Sequence, residues 1–162
     1  MDLRKLDKSF YPANLHLEQA LDLVDGKWIP NKVRGHSVVL ISVNNLTFGI
    51  PLRSNIRHTA SHPTQGTHGS PHKGLDYSKA LLISKPEFIS DEIFRIPNAE
   101  RTRLKNKAFF ITRKFEQYVK KYIKAVNTNN TNIINSEAYR FTTLRNYHQE
   151  LGLSDEKRKA TK

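Results

Sequence analysis

Apolar and polar positions alternate through two β-branched runs, Ser37–Val43 and Leu46–Leu52, that meet at Asn44-Asn45. Val and Ile suit a pleated, half-buried surface, and Asn tolerates the positive φ of a tight turn, so the stretch predicts a β-hairpin. Its second strand runs into Pro51-Leu52-Arg53-Ser54-Asn55-Ile56-Arg57, which sets a hydroxyl and two guanidinium groups at the strand exit. A helical period fits Ala13–Val24, where Leu15, Leu17, Ala20, Leu21 and Val24 share a stripe and Asp25-Gly26 ends it. Trp28–Arg34, with Pro30, reads as an irregular connection. Thr59–Lys73 has no period and is filled with Gly, Pro, Ser, Thr and His, the composition of a long mobile loop.

Further along, Ser78–Ser84 reads as a short buried strand and Glu92–Ile96 as an alternating one closed by Pro97. Asn98–Lys107 predicts a short basic helix. Thr112–Val126 predicts a strong one, with Phe115, Val119, Tyr122 and Val126 on one face and Lys120, Lys121 and Lys124 off it. After a polar linker at Asn127–Asn135, Ser136 can cap a last helix with Phe141, Leu144, Tyr147, His148 and Leu151 as its stripe and Gly152 as its stop. Strands first and helices second predict an α+β domain with an antiparallel sheet, its closure left open by the pattern, and a mainly helical C-terminal half. The domain is expected to span residues 1–153, with residues 154–162 as a charged, flexible tail.

Composition narrows the reading. The 162 residues suffice for one domain with a real core, and the chain contains no cysteine, which excludes disulfides and thiolate metal sites. The N-terminus leads into no apolar signal region and no apolar run reaches membrane-spanning length, so a cytoplasmic protein is expected. Twenty-seven Lys and Arg against 15 Asp and Glu leave a net charge of +12. Such a surface attracts polyanions, nucleic acid foremost. The charge is also concentrated: Asn98–Thr128 holds nine Lys or Arg and two Glu, a surplus of seven.

Candidate chemistry gathers around the hairpin exit. Arg53 and Arg57 have the fork geometry that matches phosphate oxygens, and Ser54 between them either donates to a phosphate or is an ordinary turn serine. Lys73-Gly74-Leu75-Asp76 brings a cation and a carboxylate to the start of a strand. Asp76 can orient a catalytic base, pin Arg53 and Arg57, or simply form an Asx turn. His36, beside Arg34 and Gly35, is either a general base or a hydrogen-bonded edge histidine. His58, His62, His68 and His72 cluster in the loop, but Pro63 and Pro71 interrupt helical pairing and the spacing fits no zinc signature. That loop is read as RNA-contacting or disordered. On the long helix, Tyr118 can stack a base while the lysines track phosphates.

These segments together resemble a known family. Arg34-Gly35, the paired strands, Pro51 through His58, Lys73 through Ile83, and Phe110-Ile111-Thr112 through Val126 are similar to the TenpN toxins of type III toxin–antitoxin systems, a wider group with ToxN, CptN and AbiQ. The similarity runs from about Leu3 to Leu151. The resemblance implies a fold like the MazF, Kid and CcdB barrels, a compact, twisted antiparallel sheet or partly open barrel with helices packed around it, and a phage-defence endoribonuclease held inactive by a pseudoknotted, repeat-derived antitoxin RNA. It also implies metal-independent transesterification of target mRNA, without a cofactor, giving 2′,3′-cyclic phosphate and 5′-OH ends. Ser54 falls on the serine of the group's Pro-Leu-x-Ser motif. ToxN has a lysine shortly after that serine, where this chain offers Arg53 and Arg57. The cation before the first ToxN strand corresponds to Arg34 or Lys32, with Arg34 nearer the strand.

The expected catalytic set is therefore Ser54, Arg53, Arg57, Arg34, His36 and Asp76, with no metal site. The expected RNA contacts are Lys32, His58, Lys73, Lys79, Arg113, Lys114, Tyr118, Lys120, Lys121 and Lys124. The alternative is a non-catalytic RNA-binding module using the same basic surface. A third reading, a zinc hydrolase through the loop histidines, requires stoichiometric metal.

Overall fold

The computed structural model describes residues 1–29 and 37–153. Lys32, Arg34 and His36, and the tail assigned to 154–162, lie outside the described residues. The elements run β1 (Leu3–Leu6), α1 (Phe10–Ala13), β2 (Leu23–Val24), β3 (Lys27–Trp28), β4 (Ser37–Val43), β5 (Leu46–Ile56), β6 (Ser61–Gln65), β7 (His72–Asp76), β8 (Leu81–Leu82), β9 (Ile89–Ile93), α2 (Asn98–Asn106), α3 (Ala108–Asn127) and α4 (Thr131–Ile134). Single 3-10 turns cover Tyr77–Lys79, Pro86–Phe88 and Thr143–Tyr147. Seven strands form one antiparallel sheet in the order β6-β7-β5-β4-β1-β9, with β8 on β5. The sheet is open, not closed into a barrel. The fold is α+β with a C-terminal region that is mostly helical.

The β4–β5 hairpin forms as its pattern predicts. Asn44 and Asn45 both take positive φ, 52° and 63°, the requirement of a type I′ turn. Val38, Val39, Ile41, Val43, Phe48 and Ile50 are buried in the core. There they meet Phe115, Val119 and Val126 from the buried stripe of α3, with Phe48 edge-on to Phe115 at 5.4 Å. β5 is longer than expected and serves both halves of the sheet: Phe48 and Gly49 pair with β8, while Leu52, Arg53 and Ile56 pair with β7. Ser54 is therefore inside a strand, not past its end.

Several expectations are corrected. Ala13–Val24 is not a helix. Gln19 and Asp22 hold positive φ, Leu15 and Val24 are exposed, and the segment is tied across the molecule by reciprocal Glu18–Asn146 backbone–amide bonds. Asp25-Gly26 is instead the positive-φ turn between β2 and β3. Thr59–Lys73 is not a loop throughout, because β6 and β7 pair within and beyond it. The period is hidden since the side chains that 59–73 buries are, beside Ala60, the polar Ser61, Thr64 and His72, satisfied by hydrogen bonds, and the apolar Leu75 follows only at the end of β7. Pro63 is tolerated because β6 is the sheet edge.

The Ser78–Ser84 strand shrinks to β8 behind a 3-10 turn, and the Glu92–Ile96 strand lies three residues earlier, as β9. The expected helices over 98–107 and 112–126 form as α2 and α3, α3 starting four residues sooner. The linker contains the one-turn α4. Among the described residues no α-helix follows Ser136, whose hydroxyl donates to Ile133 O at the end of α4, and the 3-10 turn at Thr143–Tyr147 stands in its place. Phe141, expected in a core stripe, is exposed. No helix among the described residues is long and apolar enough to cross a membrane.

Candidate functional site

The β5–β7 register slips between Arg53 and Ile56: Arg53 faces Gly74, Ile56 faces His72, and Ser54-Asn55 form a bulge in which Asn55 takes φ 56°. Bulges bend a strand and re-aim its side chains. Here the bend brings Arg53, Asn55, Arg57 and His58 to one cleft of about 460 Å³, completed by Gln19, Ser78, Lys79, Glu137 and Phe141.

Asp76 is the centre of its floor. The carboxylate has no exposed surface and accepts from four donors: Arg53 Nη1 at 2.9 Å, Ser78 Oγ at 2.6 Å, Ser78 N at 3.0 Å and His58 Nε2 at 3.3 Å. Burial favours its neutral form, yet the hydrogen bonds from His58, Ser78 and Arg53 outweigh burial and hold it below the usual carboxylate range. Ala60 N–H donates to His58 Nδ1 at 3.1 Å, which assigns the proton of the neutral ring to Nε2, facing Asp76. Both ring nitrogens are thus engaged. Asp76 and His58 orient Arg53 and each other, and neither presents an open proton acceptor to a ligand.

Lys79 forms another part of the wall. Its ammonium donates to Gln19 O at 2.8 Å and Phe141 O at 2.9 Å, stitching the N-terminal segment to the C-terminal one over the cleft. Burial lowers its pKa to about 8, with Arg53 and Arg145 assisting and Asp76 opposing. Lys79 is therefore mainly protonated at neutral pH but close to titrating.

The other sequence candidates divide. Arg57 is exposed in the cleft, as a phosphate ligand requires. Ser54 is exposed on the bulge but does not line the cleft. Lys73 is turned to the buried Glu100, 3.2 Å away, whose other oxygen accepts from Thr64, so it anchors α2 to the sheet. Tyr118 is corrected: it is buried, its hydroxyl donates to Ala138 O and Thr142 Oγ1, and its ring lies 4.5 Å from that of Tyr139 in a stack. No base can stack there. Arg113, Lys114, Lys120, Lys121 and Lys124 are exposed on α3, and Lys120 is paired with Glu116 at 2.7 Å.

Sequence reasoning missed Ser78, Asn55, Gln19, Glu137 and Phe141. Ser78 had a signal in Asp76-Tyr77-Ser78, where an Asp accepting from the N–H two residues on caps a turn. The remainder arrive through tertiary folding. Of the four clustered histidines, His72 is buried, receiving Ser61 Oγ at 2.7 Å, and His68 faces Ser61 O at 3.0 Å. Among the described residues no three His, Cys, Asp or Glu side chains converge as a metal-ligand group. The chain matches no family model, no curated protein and no solved structure.

Proposed function

We propose that this chain is an endoribonuclease toxin that cleaves RNA by metal-independent transesterification and is restrained by an antitoxin RNA, acting in the cytoplasm as part of a toxin–RNA complex. The observation that supports it is the cleft itself, where Arg53, Arg57 and Lys79 converge on a space of nucleotide size over a buried, ionised Asp76. Cleavage of this type joins the ribose 2′-oxygen to phosphorus while the bond to the 5′-oxygen breaks. The 2′-OH proton leaves to a base, and the 5′-oxygen takes up another. In this reading Arg53, held rigid by Asp76, and Arg57 carry the non-bridging oxygens as charge grows on them. Lys79, protonated at neutral pH, hands its proton to the departing 5′-oxygen. The resemblance to TenpN toxins adds Ser54, on the bulge beside the cleft, and Arg34 or Lys32 as another cation, while His36 is a candidate base from the sequence itself.

The engaged nitrogens of His58 favour one competitor, a non-catalytic RNA-binding module, because the imidazole of the cleft is not open as a base and the exposed Glu137 carboxylate is the acceptor that remains among the described residues. One experiment separates the two. Purified protein is incubated with total RNA in excess EDTA and the ends are mapped, with Arg57→Ala in parallel. Cyclic-phosphate ends from wild type, reduced about 10²–10³-fold in Arg57→Ala, support the toxin reading. Tight RNA binding without cleavage establishes the module instead, and activity restored only by Mg²⁺ or Zn²⁺ overturns the mechanism.

A further inference from the structure

A second site lies on the other side of the β5–β6 turn. Two cavities of about 480 and 430 Å³ meet along β6, sharing His62, Pro63 and His68. The end of α2 and the stretch of α3 from Phe110 to Lys121 form the opposite wall, with four cations, Arg103, Lys107, Lys114 and Lys121, and not one acid among the lining residues. Phe110 stands in this wall with 47% of its surface exposed. Lys107 Nζ lies 5.9 Å and Lys114 Nζ 5.5 Å from its ring centroid, and the His62 ring meets it at 6.1 Å with 63° between planes. Phe109 beside it is 79% exposed.

Exposed rings flanked by cations are what a flexible polyanion with flat, unstacked bases requires. A duplex, whose bases are already stacked, has no use for Phe110. His62 fits the same ligand: burial, with the charges of Arg103, His68 and Lys107, lowers its pKa to about 4, so it offers a neutral hydrogen-bonding edge. The groove also adjoins the cleft. Thr59, Ala60, Ala138 and Tyr139 line its near end, and their chain neighbours His58 and Glu137 line the cleft. A contact between two copies of this chain would bring like-charged rims together, which costs association.

We propose that this groove binds the unpaired RNA strand that continues from the cleft, with one base stacked on Phe110 and the adjoining phosphates on Lys107, Lys114 and Lys121. It deepens the endoribonuclease reading by giving the substrate a nucleotide subsite away from the scissile bond, and its binding half stands without any cleavage. The test uses a 2′-O-methyl oligonucleotide, which has no free 2′-OH and cannot be cut, so a failure of catalysis leaves the binding result intact. Fluorescence anisotropy of the full chain with a labelled 8-mer, single-stranded or annealed, is measured at several salt concentrations. Phe110→Ala should weaken single-strand binding roughly 5- to 150-fold with the salt slope unchanged, while Phe110→Tyr keeps wild-type affinity. Lys114→Ala should lower the log–log slope by about 0.7. Equal affinity of wild type and Phe110→Ala, both with wild-type melting, overturns the proposal. So does a duplex preference, or a Phe110→Ala effect on self-association alone.

Discussion

Asp76 concentrates more consequence than any other side chain described here. It holds a full charge with no exposed surface and four hydrogen-bond donors around it. Asp76→Asn keeps the shape but turns an NH₂ towards either Arg53 or the His58 N–H, leaving a donor against a donor. Breaking a buried ionic network costs about 3–5 kcal/mol, and because Arg53 reaches solvent the lower end, about 3 kcal/mol, is expected by chemical denaturation. The sign with pH follows from the direction of the shift. The carboxyl's pKa is depressed on folding from 3.8, so its contribution is complete above that value and disappears as pH falls through the lower folded one. The stability gap between wild type and Asp76→Asn should therefore be flat from pH 5 to 8 and narrow below about 4. Lys79 gives the opposite limb. If its proton goes to the leaving oxygen, cleavage should decline as pH rises through about 8, and Lys79→Arg should lose that decline. A rate that stays level to pH 10 in wild type removes Lys79 as the donor.

At the level of elements, the site depends on the β6–β7 hairpin, and the hairpin depends on Gly74. Gly74 lies opposite Pro63, and a Cβ there would overlap the His62 carbonyl and press on the Pro63 Cα. Those are backbone atoms that cannot swing aside. Gly74→Ala should cost at least about 2 kcal/mol and pull β6 off β7, which would loosen Arg53 and the groove wall together. A melting temperature within a degree of wild type would show that the edge yields easily. The same hairpin explains what was legible in the sequence and what was not. β4–β5 and α3 could be read because apolar burial drives them, and burial leaves a period of two or of 3.6 in the chain. β6 and the start of β7 bury the polar Ser61, Thr64 and His72, which are satisfied across the hairpin or, for Thr64, by the distant Glu100, and so leave no apolar period. Ala13–Val24 failed in the reverse sense. Its helical stripe was real, but bonds to Asn146 and Lys79 hold the segment in turns. Arg53, Arg57 and Asp76 were readable as a cluster from their residue types. The bulge that aims them, and the burial that closes Tyr118, depend on register and packing, which local composition does not encode.

Across the whole molecule, the surplus of cations over 98–128 is divided between those that line the groove and those that do not. Lys107, Lys114 and Lys121 look into the groove with Arg103, while Lys124 is exposed outside it and Lys120 is taken up by Glu116. A net charge of +12 attracts any polyanion from a distance, so a loss of binding on removing one lysine does not by itself locate the ligand. Comparing Lys121→Ala with Lys124→Ala removes that ambiguity. Both lower the net charge by one and both sit on the same helix three residues apart, so the long-range contribution cancels between them. What differs is contact: a lysine seated on a phosphate releases a counterion, and a solvated neighbour that touches no phosphate does so far less. With an uncleavable single strand titrated from 50 to 300 mM salt, Lys121→Ala should flatten the log–log slope by about 0.7 and Lys124→Ala by clearly less. Equal slopes for the two would mean that RNA senses only the overall charge of α3, and the strand would then have to follow the opposite face of the helix.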